Sequence, residues 1–182
     1  MITLETARLR LRPLAEQDRE ALVAMNADPE VMEHFPSILS PEETDAFCER
    51  VRQSWAQHGI GFAAVESREN ARFLGFAGLA VVRFETPVQG LTEIGWRFAR
   101  AQWCHGYATE AARAWMAYGF DALKLDRIVS FTTAPNHRSL AVMRRLGMAR
   151  RPDLDFEHPA LPLDHLLRPH LVFERRADAG EA

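Results

Sequence analysis

The stretch Thr92–Ala111, TEIGWRFARAQWCHGYATEA, joins two periodicities within twenty residues. Leu91 to Ala99 is a run of apolar and aromatic residues of strand type, and from Gly106 onward small and apolar residues recur at helical spacing. The spacing therefore predicts a strand over 91–99 and a helix over 106–123, with Ala108, Ala111, Ala112, Trp115, Met116 and Gly119 forming a mostly small-residue stripe that can press closely on a sheet. At such a junction the backbone N–H groups of Cys104 to Thr109 are among the unpaired donors of a helix N-terminus, which suit phosphate oxygens. Gly106 lets the backbone approach an anion, and Ala108 keeps the next turn thin. Read alone, the glycine fits a simple tight turn better, and the loop by itself is weak evidence of an anion site.

The rest of the chain supplies a frame for that junction. In ARLRLRPL, Leu9 and Leu11 alternate with Arg8, Arg10 and Arg12 until Pro13, the pattern of a half-buried first strand with a solvated arginine face. Ala15 to Asn26 reads as a helix, and a second short helix is expected after Asp28-Pro29. Ser40-Pro41-Glu42-Glu43 is a stronger start, with Ser40 as cap and Glu43 reaching back; Phe47, Val51 and Trp55 follow at every fourth residue, and Gly59 ends the helix. GFAAVES and RFLGFAGLAVVRFE, divided by the polar Ser67 to Ala71, predict a hairpin. Arg127 to Thr133 reads as a strand, Asn136 to Leu146 as a helix ended by Gly147, and Leu171 to Glu174 as a last strand. The order is β-α-α-β-β-β-α-β-α-β-β, an α/β fold with a mixed sheet of about seven strands and helices on both faces.

Composition narrows the function classes. The 182 residues are 47% hydrophobic and 26% charged with a formal net charge of −3, so nothing draws the whole chain to nucleic acid or to an anionic membrane. No composition shift marks a linker, so residues 1–176 read as one domain followed by a polar tail, 177–182. The N-terminal segment has neither a secretory nor a membrane-spanning pattern, and Cys48 and Cys104, the two cysteines, suit a reducing cytoplasm. Their spacing gives no metal motif, and His34, His158, His165 and His170 show no helical pairing of the HExxH kind, so no metal is expected. Neither a Gly-Lys-Ser/Thr loop nor GxGxxG occurs, which argues against a nucleotide-binding enzyme.

TEIGWRF, WCHGYATEA and the downstream PNHRSLAVMRRLGM together resemble the Gcn5-related N-acetyltransferase (GNAT) superfamily, and most closely its RimJ/RimL-type branch. The likeness runs from ETARLRLRP through NADPEVM to LRPH. It implies a twisted, mostly antiparallel sheet and acetyl-CoA as co-substrate. The family's acyl-CoA loop, Gln/Arg-x-x-Gly-x-Gly/Ala, is matched at Gly106 and Ala108; Trp103 stands at the Gln/Arg position, and Cys104 and His105 stand where the branch usually has glycine and lysine. His105 in place of lysine removes a fixed charge, which leads to the expectation that pyrophosphate affinity rises below about pH 6.5. The loop contacts implied are backbone N–H groups of Trp103, Cys104, His105, Gly106, Tyr107, Ala108 and Thr109, with backbone groups of Trp96, Arg97 and Phe98 facing the pantetheine arm.

For the chemistry, the resemblance implies direct attack of an amine on the thioester. Glu93, in the stretch matching the branch's Glu-Ile-Gly-aromatic, is the candidate base, with desolvation raising its carboxyl toward neutrality; as a plain strand residue it would instead be solvated or ion-paired. Ser139 matches the hydroxyl position that protonates the departing thiolate, and Asn136 the asparagine that meets pantetheine or a water. Both residues also suit simple helix capping after Pro135. Cys104 reads as a small filler, with a covalent acyl-cysteine as the alternative. Pro152 to Pro169 is expected to border the acceptor site opposite Met32 to Ile38. The expected partners are acetyl-CoA and a primary amine, a protein N-terminus or a small molecule. A homodimer is the commonest assembly for a soluble enzyme, though the sequence does not read it. A CoA-binding sensor or interaction module without turnover would keep the loop and not need Glu93 or Ser139.

Overall fold

A computed structural model describes residues 2–177, so all of the predicted polar tail except Ala177 lies outside the described residues. Nine strands form one sheet: β1 (Leu4–Glu5), β2 (Leu9–Arg12), β3 (Phe62–Ser67), β4 (Phe73–Val81), β5 (Thr92–Phe98), β6 (Arg127–Thr133), β7 (Ala149–Arg150), β8 (Phe156–Glu157) and β9 (Pro169–Arg176). Their order is β1-β2-β3-β4-β5-β6-β9-β7, with β8 also on β9, and every pairing is antiparallel except β5 with β6. The count exceeds the expected seven, and β1, β7 and β8, for which no strand residues are singled out in the sequence, have two residues each, too short to show an alternation.

Among the described residues four helices cover the sheet: α1 (Arg19–Asn26), α2 (Pro41–His58), α3 (Tyr107–Asp121) and α4 (His137–Arg145). The small-residue stripe of α3 performs as its spacing predicts. Ala111, Ala112 and Trp115 are fully buried, and a Cβ at Gly119 would lie 2.7 Å from the Cδ1 of Ile128 of β6, so a larger residue there requires the Ile128 side chain to shift. Leu22 and Met25 of α1 and Phe47 of α2 pack on the other side around Phe76 of β4. The capping box of α2 forms, with the Glu43 N–H donating to Ser40 Oγ at 3.2 Å and the Ser40 N–H to the Glu43 carboxylate at 2.7 Å.

Three expectations change. The helix expected from Ala15 opens as a 3-10 turn over Glu16–Asp18, because the Asp18 carboxylate turns back to accept from Arg12 Nη1 and Nη2 and from the Ala15 N–H. The short helix after Pro29 is instead a run of turns: Asp28 accepts from the Glu30 N–H, and the Leu39 N–H is tied to the Asn26 carbonyl. The arginines of β2 are not one solvated face: Arg12 pairs with Asp18 and Glu66, and Arg8 leaves the strand for the start of α3.

Candidate active site

The site is built at a gap between neighbouring strands. β5 pairs with β4 along its whole length, from Val81↔Thr92 to Gly75↔Phe98, whereas its parallel register with β6 is confined to Glu93↔Val129. Beyond that point the strands separate. Ser130 Oγ donates to the Ile94 carbonyl at 2.9 Å and Trp103 Nε1 to the Phe98 carbonyl at 2.9 Å, both on the β6 side. Alternate residues of a strand turn their backbone groups the same way, so Trp96, between those two, presents its N–H and C=O to the gap. Arg97 does the reverse. Its carbonyl points to β4, where a Cβ on Gly75 would come within 2.3 Å, so the backbone contact expected of Arg97 is directed away from the gap.

At the end of β5 a 3-10 turn, Arg100–Gln102, leads into a loop that reverses twice through left-handed backbone, at Cys104 (φ 64°) and Gly106 (φ 80°). Helix α3 begins at once after Gly106, which has no side chain to cap it, and its first N–H groups face a cavity of about 1130 Å³. Trp96, Phe98, Trp103, Cys104, Gly106, Tyr107, Ala108 and Thr109 all line this cavity. His105 does not. Its ring stacks on Tyr107 at 5.5 Å, and its carbonyl accepts from Arg8 Nη1 at 3.1 Å.

Arg8 therefore supplies beside the loop the cation that residue 105 lacks, and it is held there. Its Nε donates to Glu110 in the first turn of α3 at 2.7 Å, and the same carboxylate accepts from the Thr6 hydroxyl at 2.6 Å and the Arg8 N–H at 3.1 Å. Burial alone would raise the Glu110 carboxyl, but these hydrogen bonds hold it below its ordinary value. Arg113, Arg138 and Arg145 also line the large cavity. The sequence reading missed all four arginines, since it looked for phosphate contacts on the loop's own backbone; the Arg138/Arg145 spacing of seven on one helix was the available signal.

A second, smaller cavity of about 270 Å³ adjoins the first, and His34, Phe35, Trp96, Arg97, Asn136 and Ser139 line both. Glu93 opens into the smaller one. It is half-buried, has no hydrogen-bond or ion-pair partner among the described residues, and burial pushes its carboxyl up to about 7. Phe84, Phe131, His158 and His170 form an aromatic wall, with Phe84 and Phe131 edge to face at 5.9 Å and the two imidazoles 5.1 Å apart. Burial holds both imidazoles below their ordinary value, so they are neutral at pH 7. His34, Phe35 and Pro36 stand on one side of this cavity and Leu161 and Leu167 of the proline-rich loop on another.

Asn136 is a cap: its Oδ1 accepts from the Ser139 N–H at 3.1 Å, while its Nδ2 donates to Thr132 Oγ1 at 2.9 Å. Those bonds fix the amide plane at the junction of the two cavities. The Ser139 hydroxyl has no hydrogen-bond partner among the described residues and stands at the same junction. Among the described residues no group of three or more His, Cys, Asp and Glu is arranged to hold a metal, and no helix is long and apolar enough to cross a membrane.

The sheet splits beside a glycine-led helix N-terminus, with a desolvated carboxyl at the split. The acetyltransferase (GNAT) domain pattern matches residues 8–149, and the chain belongs to that family. An N-acetyltransferase of Bacillus subtilis, YnaD, itself uncharacterized, is 29% identical over 148 residues, covering 81% of this chain and 82% of its own. An acetyltransferase from Agrobacterium tumefaciens superposes with a TM-score of 0.80 at 26% identity, covering 97% of this chain and 95% of that one. RimL, a ribosomal-protein α-N-acetyltransferase solved in complex with coenzyme A, shares the fold with a TM-score of 0.78 at 17% identity over 98% of this chain and 99% of that one. The chain is an N-acetyltransferase of the GNAT fold with RimJ/RimL-type neighbours.

Proposed function

We propose that this protein transfers the acetyl group of acetyl-CoA to a primary amine, a protein N-terminal α-amine or a small amine, by direct attack within a ternary complex. The observation that carries the reading is Glu93. It is the last residue of β5 in register with β6, its carboxyl is raised to about 7 by burial, and it stands beside the junction that Asn136 and Ser139 line. The complex of RimL with coenzyme A supports the same cofactor here.

In this reading the pantetheine arm lies in the gap against the Trp96 backbone, with the pyrophosphate on the N–H groups from Cys104 to Thr109 and Arg8 beside them. Arg113, Arg138 and Arg145 meet the remaining phosphate charge. The acceptor enters as an ammonium with a pKa of about 7.7 to 8.0 for an α-amine, and Glu93, poised near neutrality, takes its proton. The free amine lone pair attacks the thioester carbon, the carbonyl oxygen becomes an oxyanion facing the Trp96 N–H, and the C–S bond breaks as the carbonyl re-forms. Ser139 gives a proton to the thiolate, a modest task for a thiol whose pKa is about 8.5, and the second proton, shed by the nitrogen as the amide forms, restores the Ser139 hydroxyl. Cys104 takes no part: it lines the phosphate end of the large cavity, away from the small cavity that holds Glu93.

The test couples two measurements on the wild-type protein: calorimetric binding of CoA, and release of free CoA thiol from acetyl-CoA with a panel of peptides, polyamines and aminoglycosides. Micromolar CoA binding with amine-dependent thiol release is expected. CoA binding with no thiol release from any amine would leave a binding module and overturn the proposal.

A further inference from the structure

Arg97 is the one charged side chain at the cavity junction for which the acetyl-transfer chemistry has no use. Its guanidinium is held 4.0 Å from the Phe35 ring and 5.3 Å from the Phe76 ring. Nη1 donates at 2.7 Å to the Oδ1 of Asn26, a fully buried amide whose own Nδ2 reaches Thr44 Oγ1 at 3.3 Å. No carboxylate pairs with Arg97 among the described residues, and its Nε is buried with no hydrogen-bond partner. Nη2 has no protein partner either and is not among the buried orphans, so it is open to the cavities that Arg97 lines. The half-buried arginine of β2 presents a contrast: Arg12 is met by two carboxylates, Asp18 and Glu66. Desolvation lowers the Arg97 guanidinium to about 10, which still leaves it charged at neutral pH.

We propose that Arg97 is a specificity residue for the acceptor and that the acceptor amine carries a carboxylate, which meets the open Nη2 side of the guanidinium while the amine stands at Glu93. The inference rests on the acetyl-transfer reading above and names the substrate class for the same site. A half-buried cation with one neutral hydrogen bond gains most from a charged partner, and a carboxylate supplies both that charge and an acceptor for Nη2. Asn26 and the two rings fix the guanidinium, so little side-chain freedom is lost on binding.

The span sets a further condition. Glu93 and Arg97 stand four residues apart on one strand and on the same face, about 13 Å at the backbone. An α-amino acid separates its amine and carboxylate by two bonds, far less than that backbone spacing. A longer ω-amino acid fits, as does a peptide whose N-terminal amine is followed by an acidic side chain, and the test distinguishes the two sources.

Two matched pairs serve as acceptors: 5-aminopentanoate against 5-aminopentanamide, and the C-terminally amidated peptides Ser-Ala-Glu against Ser-Ala-Gln. In the wild-type enzyme the carboxylate member of at least one pair is expected to have kcat/KM higher by about tenfold or more, chiefly through KM. Preference in the first pair identifies a small ω-amino acid, and in the second an acidic N-terminus. In R97Q the preference shrinks to within about twofold, and R97K retains part of it. The same pairs titrated calorimetrically into CoA-saturated protein read the preference without turnover. Transfer with no carboxylate preference in either pair overturns this inference and leaves the acetyl-transfer reading standing. Carboxylate-selective binding with no transfer does the opposite. Equal binding of both members in both pairs overturns the role of Arg97, and because the wild type decides it, a misfolded R97Q does not obscure the result.

Discussion

In the proposed reading Glu93 costs stability and supplies the base. Its ordinary value of 4.5 in an unfolded chain becomes about 7 in the fold because burial penalises the charged form. A carboxyl with a raised folded value favours the folded state while it is protonated, so its contribution is fully present below pH 4.5 and is lost as the pH rises through 7. Glu93→Gln removes the ionisation. Denaturant unfolding of the two proteins is therefore expected to show the variant gaining relative to wild type as the pH goes from about 4.5 to 7.5; a constant difference across that range would mean that Glu93 is solvated. The residue type and its place on a strand were legible in TEIGWRF, as was the direction of its shift. The acidic partner of Arg8 and the missing partner of Arg97 were not. Arg8 meets Glu110 across 102 residues of chain, and Arg97 meets Asn26 across 71, distances over which periodicity says only which face a side chain takes.

At the scale of elements, the strap from β2 to α3 shows magnitude deciding between roles. The Arg8 side chain is 50% exposed, and an ion pair of that kind contributes about 0 to 1 kcal/mol to stability. Its position against the His105 carbonyl and the large cavity points to ligand binding instead. Arg8→Met is expected to shift the denaturation midpoint by less than 1 kcal/mol equivalent, about the surface-pair limit, while weakening CoA by roughly tenfold, as loss of one charge-assisted contact would. Unchanged CoA affinity would show that Arg8 only fastens the strand. The pH-dependent affinity expected from His105 loses its basis, because that ring turns from the cavity onto Tyr107. Helix α2 was readable to the residue because its signals are local, a cap at Ser40 and a left-handed stop at Gly59. The segment after Pro29 was misread for the converse reason: its turns are set by the bond from Leu39 back to Asn26, which no local pattern encodes.

For the whole molecule, the working feature is a sheet whose two central strands agree in register at one point and then part. Element order and the helices on both faces followed from hydrophobic period. Where the parallel step falls, and that β5 and β6 diverge after Glu93, depends on how α3 crosses over and on the Trp103 indole occupying the Phe98 carbonyl, neither of which the one-dimensional pattern contains. Because the gap, the loop and the two cavities meet there, the claim on which the rest depends is that Glu93 is the base for acetyl transfer across the gap. The direct measurement is the pH dependence of kcat/KM for acetyl transfer, wild type against Glu93→Gln, with CoA affinity measured in parallel. The wild-type rate should rise with pH through a midpoint near the Glu93 value of about 7. Glu93→Gln should bind CoA normally, lose that limb, and be slower by about 10² to 10⁴. A Glu93→Gln enzyme within about threefold of wild type and with the same limb near neutrality would contradict the assignment, since the loss of a general base costs far more than that.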